Sequence, residues 1–116
     1  MSILSNFPTG NGNGNTGVLL EAVSGIKTLV ASGKVYVKWT DPEDIIYEDI
    51  ELAIWAGTLL VRKAGAVPLS RRDGTIVLDS KVSNGYKDSY FCDSGLSNDI
   101  TYYYKFFPYK TKKKYT

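Results

Sequence analysis

Residues 34–40 read KVYVKWT, and their alternation leaves the chain few options. Val35, Val37 and Trp39 fall on one face, and Tyr36, Lys38 and Thr40 on the other. A period of two with β-branched residues on the apolar side describes a half-buried antiparallel strand. The same texture recurs in GTLLVRKAG (57–65), GTIVLDS (74–80), SYFCDSG (89–95) and TYYYKFFPY (101–109). SRRDGT, between two of these runs, carries an Asp-Gly turn signal, and an earlier strand is expected within 21–32. Six short, turn-punctuated strands in a chain of 116 residues predict one all-β sandwich.

Two segments depart from that pattern. TGNGNGNTG (9–17) offers no side chain that could build a core, so residues 1–18 are expected to be a flexible leader, with the sandwich in 19–116. DPEDIIYEDIELAIWAG (41–57) places Asp41 as a helix N-cap, Pro42 at the first helical position and Asp44 three residues after the cap. A long, partly helical loop is therefore expected between the second and third strands.

Several chemistries are disfavoured by what the chain contains. It has no histidine and a single cysteine, Cys92, which removes His-dependent nucleophilic catalysis, the commonest zinc ligand and any intrachain disulfide. The acids between Asp41 and Glu51 have no glycine among them and no calcium-loop spacing, so they read as a solvated loop rather than a metal site. No enzyme activity, metal or cofactor is expected. Lys110 and Lys112–Lys114 form a basic tail with no arginine and no recognition motif, and net charge is only +2. Nucleic acid is not an expected partner, and the lysines read as protection of a sheet edge. Apolar runs fall well short of the roughly 18 residues of a membrane span, so no membrane insertion is expected, and the opening residues carry no secretory signal pattern.

In GLSNDITYYYKF, Leu96 stands six residues before Tyr102, which opens a strand. This resembles the tyrosine corner of fibronectin type III domains, with Asn98 where the family has proline and Ile100 where it usually has threonine. KVYVKW is similar to the family's second strand, whose tryptophan packs in the core, and Trp39 fits that role. KVYVKWTDPED, WAGTLLVRKAG, RRDGTIVLDS and TYYYKFFPY also resemble phrases of fibronectin type III-like modules in phage and prophage tail or minor structural proteins. The resemblance implies an immunoglobulin-like β-sandwich with Trp39, Leu96, Tyr102, Tyr104 and Phe106 in its core. It also implies a seventh strand, which only KTKKKYT (110–116) is left to supply, either short or truncated.

Alternation within 101–109 leaves Tyr103, Lys105 and Phe107 on the opposite, outward face. They are the candidate surface contact, facing the domain's own last strand or loop, a protein partner, or a glycan. The function the resemblance implies is a non-catalytic structural and protein-interaction module of a phage tail protein, a spacer or scaffold with a part in host-surface attachment. Its partners would be other phage structural proteins or neighbouring domains, and its location the virion or a prophage-encoded assembly. The alternative is a carbohydrate-binding accessory module of a bacterial surface or secreted protein, taking cell-surface glycan.

Overall fold

The structure, a computed structural model, describes residues 2–6 and 18–111. It is all-β, with no helix among the described residues. In chain order the strands are β1 (Ser2–Asn6), β2 (Ser24–Ala31), β3 (Lys34–Thr40), β4 (Ile45–Tyr47), β5 (Ile50–Ala53), β6 (Trp55–Ala64), β7 (Thr75–Ser80), β8 (Phe91–Ser94) and β9 (Thr101–Lys110). The six strands expected from alternation correspond to β2, β3, β6, β7, β8 and β9. Together with β1 they form two sheets, β2-β3-β8 and β1-β9-β6-β7, and β4-β5 make a small separate ribbon.

One core lies between the two larger sheets. Val35, Val37 and Trp39 from β3 meet Leu60 from β6 and Tyr102, Tyr104 and Phe106 from β9, all buried, with Leu96 packed alongside. The Trp39 ring sits 4.9 Å from Phe106 and is stacked on Tyr86 at 5.2 Å, centroid to centroid. Burying each large apolar side chain stabilises by roughly 1.5–3 kcal/mol, so this cluster is the principal attraction between the sheets. At one end of it the Ser97 amide donates to the Tyr102 hydroxyl at 2.9 Å, tying the approach to β9 onto the strand itself. Asn98 secures the same corner differently from a proline. Its carboxamide accepts from the Gly33 amide and donates to Ser32, both at 2.9 Å, and so holds the β2–β3 turn.

The partly helical loop expected over 41–57 is corrected: the segment is a β-hairpin. Tyr47 and Ile50 pair across the two-residue turn Glu48–Asp49, whose φ values of 48° and 67° are those of a type I′ turn. That turn matches the twist of the flanking strands, and Ile45, Ile46 and Ile50 favour an extended backbone. Asp41 does not cap a helix because its carboxylate is taken by the Trp39 indole, the Thr58 hydroxyl and the Asn84 main-chain amide. Glutamate is a poor occupant of a left-handed position, whereas Asn-Gly adopts this turn readily. The Glu48→Asn/Asp49→Gly variant is therefore expected to gain about 0.5–1 kcal/mol in denaturant unfolding.

Ser2–Asn6, within the expected leader, forms β1 and runs parallel to β9, with Ser2 opposite Thr101 and Asn6 opposite Lys105. An edge strand presents unpaired N–H and C=O groups that any extended backbone can satisfy, whatever its side chains. The remainder of the leader, residues 7–17, and the basic tail from Lys112 onward lie outside the described residues.

Candidate interaction surface

The β9 side chains alternate as expected. Tyr102, Tyr104, Phe106 and Pro108 are buried, while Tyr103, Lys105 and Phe107 are half-buried on the outer face of the β1-β9-β6-β7 sheet. Across the ladder they meet Lys63, Val61 and Leu59 respectively. Lys105 lays its ammonium over the Phe107 ring, 5.4 Å from the centroid, which combines a cation–π contact with apolar cover from the lysine stem. Val61 is fully buried although it too faces outward. Its cover includes the 65–74 loop, which bends back over the sheet. Asp73 grips Lys63 at 2.8 Å, and Gly74 lies so close to Arg62 and Val61 that a Cβ there would collide with the Arg62 carbonyl. The aromatic stripe is thus backed by its own sheet along one side.

Because Tyr103 and Phe107 sit outside the central core, replacing both by Ser is expected to leave the fold in place and cost about 1–2 kcal/mol. A thermal melt with far-ultraviolet circular dichroism checks this, and loss of the folded state would contradict the outward placement.

A third aromatic belongs to this face, and alternation alone did not single it out. Tyr109 lies across Gly57 on β6 and donates its hydroxyl to Asp79 on β7 at 2.7 Å. A side chain at 57 would occupy the space of the tyrosine ring, so glycine is required by the close approach. Burial first, and the Asp79 carboxylate second, push the Tyr109 phenol up to about 12. Tyr104 is raised still further, by burial and by its bond to Asp93.

A phenol raised in the folded state favours the protonated form there, while the unfolded chain ionises near 10.0. Stability from these groups is complete below pH 10.0 and is lost as pH rises through the folded values. The melting temperature is expected to fall as pH is raised from 10.0 to about 12, and Tyr109→Phe to flatten the early part of that fall. Melting curves alongside phenolate absorbance check both.

On the opposite sheet, Tyr36 and Tyr90 meet edge to face at 6.5 Å, and Lys38 lies over the Tyr90 ring at 4.6 Å. Tyr90 comes from the segment leading into β8, so only the pairing of distant strands assembles this second aromatic patch.

The acidic segment is less a cluster than a hub. Asp41 is buried at the end of β3, and its Oδ1 accepts from Trp39 Nε1 at 2.9 Å and from the Thr58 hydroxyl at 2.8 Å. Its Oδ2 accepts the Asn84 amide at 2.8 Å, and Asn84 Oδ1 accepts the Asp41 amide in return. Asp44 accepts from the Trp55 amide, and Trp55 Nε1 donates to Thr58. An open depression of about 400 Å³ lies between Asp41–Asp44, Trp55 and Ser83–Asn84. No group of three His, Cys, Asp or Glu side chains among the described residues is placed to hold a metal ion.

A second polar network crosses the sandwich. Arg62 Nη1 donates to both oxygens of Asp93, at 2.7 and 2.8 Å, and the Tyr104 hydroxyl donates to the same carboxylate at 2.7 Å. Every buried side-chain nitrogen and oxygen among the described residues has a partner. The buried polar groups are thus occupied by internal bonding, and half-buried aromatics lie on the outer faces of both sheets. No family model matches the chain, and no curated protein or solved structure matches it either.

Proposed function

We propose that this chain is a non-catalytic structural and protein-interaction module of fibronectin type III type, working as a spacer or scaffold in a phage or prophage tail protein. The observation that carries the reading is the corner at Tyr102. Its hydroxyl takes the Ser97 amide five residues upstream, with Leu96 packed against the core, as the resemblance implies. The strand order adds support. In immunoglobulin-type sandwiches the last strand flanks the sixth, and here β1 lies along that edge of β9. A rigid sandwich with internally satisfied polar groups and aromatic outer faces suits a role of holding neighbours in position.

The test is composition of the particle. Phage or tail-like particles are induced from the source bacterium, purified on a density gradient, and analysed for peptides of this chain. Peptides co-migrating with the tail fraction are expected; particles lacking them, with the chain recovered elsewhere, would overturn the reading.

A carbohydrate-binding module is the second reading, favoured by Trp55, half-buried in the wall of the open depression beside Glu43 and Asp44. Titration with purified cell-wall polysaccharide, followed through tryptophan fluorescence, decides it. A saturable change, with binding that calorimetry shows to be lost in Trp55→Ala, supports this reading, and an unchanged signal removes it.

A further inference from the structure

The edge of β9 is covered by a strand that reaches it through a long connection. β1 covers Thr101 to Lys105 only. The chain re-enters the described region at Val18, whose carbonyl accepts Lys110 Nζ at 2.8 Å, near the far end of β9. From Lys105 to Lys110 a strand advances about 17 Å, so a span of about 20 Å has to be bridged. The connection from residue 6 to residue 18 comprises twelve residue steps and can extend to about 40 Å. Its sequence, FPTGNGNGNTG, is rich in glycine and asparagine. The connection therefore has twice the reach that pairing within one copy requires.

Parallel pairing of main chain to main chain also carries little side-chain specificity, and the edge it uses is the same in every copy. We infer that β1 is an exchangeable strand: in a second copy of this chain held nearby, the same five residues pair with the neighbour's β9. The exchanged arrangement reproduces every β1–β9 hydrogen bond of the closed one. The balance between them is set by local concentration, against an effective concentration of order millimolar for the tethered strand. An assembly holding copies side by side tips it, as does a concentrated solution, whereas dilute solution of the isolated chain does not. The exchange does not depend on the phage context, so failure of either proposal is visible without the other.

Two experiments test it on the full chain. Deleting residues 9–15 leaves five residue steps, at most about 18 Å, too short for comfortable closure but no obstacle to reaching a neighbour. The shortened chain is expected to run at twice the monomer mass or higher in light scattering. Adding Ile3→Pro and Leu4→Pro, one of which removes a donor facing β9 while both disturb the strand, is expected to return it to monomer. A shortened chain that stays monomeric, or an oligomer indifferent to the prolines, overturns the inference.

The second experiment keeps the native connection. Leu4 lies opposite Tyr103 in the ladder. With Cys92→Ser as background, Leu4→Cys and Tyr103→Cys chains are mixed at high concentration and oxidised. A disulfide between one copy's position 4 and the other's position 103 is expected, and the single chain carrying both cysteines is expected to link internally on dilution. A mixture that yields no such link while the double variant closes on itself shows a strand confined to its own copy, and failure of both shows no β1 on β9; either sinks the exchange.

Discussion

Replacing Asp41 by alanine is expected to cost about 3–5 kcal/mol in denaturant unfolding, a large part of the roughly 5–15 kcal/mol that keeps a domain of this size folded. Three donors converge on that carboxylate: the Trp39 indole, the Thr58 hydroxyl and the Asn84 amide. They belong to β3, to β6 and to the segment leading towards β8, so the side chain joins both sheets and the crossing between them. Alanine leaves these donors without their acceptor at a site only 3% exposed, where water compensates poorly. Asp41→Asn separates charge and shape from connectivity. Its amide oxygen serves Trp39 and Thr58, but its NH₂ meets the Asn84 N–H, and a loss of about 1–2 kcal/mol is expected. If Asp41→Ala unfolds within about 1 kcal/mol of the parent, the carboxylate does not join the two sheets as described.

The Asp93 network should respond with opposite signs to two kinds of change. Asp93→Ala strands the Arg62 guanidinium and the Tyr104 hydroxyl between the sheets, and a cost of about 3–4 kcal/mol is expected. Replacing the whole network, as Arg62→Met/Asp93→Leu/Tyr104→Phe, removes the stranded groups along with their partner. That triple variant is expected to recover most of the loss, since taking two charges out of water costs about as much as their attraction returns. Equilibrium unfolding of the two variants side by side gives the comparison. A triple variant less stable than Asp93→Ala would mean that the ion pair itself, not its completeness, holds this end of the sandwich.

Period-two alternation made β3 and β9 legible, because burial of one face is written directly in residue type. It also separated Tyr102, Tyr104 and Phe106 from Tyr103, Lys105 and Phe107. The 41–57 hairpin was misread for a physical reason. Asp-Pro with a second acid three residues on is a fair helix opening when the aspartate oxygen is free, and here it is captured by partners from Trp39 to Asn84. No local window contains that competition. The two carboxylate networks were invisible on the same ground: Asp93 meets a guanidinium 31 residues away, and Asp41 an amide 43 residues away. Tyr109 was missed because its significance lies in the emptiness of Gly57 on the neighbouring strand. β1 escaped because pairing at an open edge is a property of backbone, which composition does not record.

The parallel sense of β1 has a mechanical consequence. Its first residue lies at the start of β9, and β9 runs on to Lys110 at the other end. A pull applied ahead of Ser2 and beyond Lys110 drags the two strands past each other along their length. The hydrogen bonds between them then share the load and must break together, whereas an antiparallel edge strand loaded at one end would peel one rung at a time. A module joined in series through these two points would resist tension through an outermost strand held by five ladder pairs, and the β1–β9 seam would be the first element of the fold to bear it.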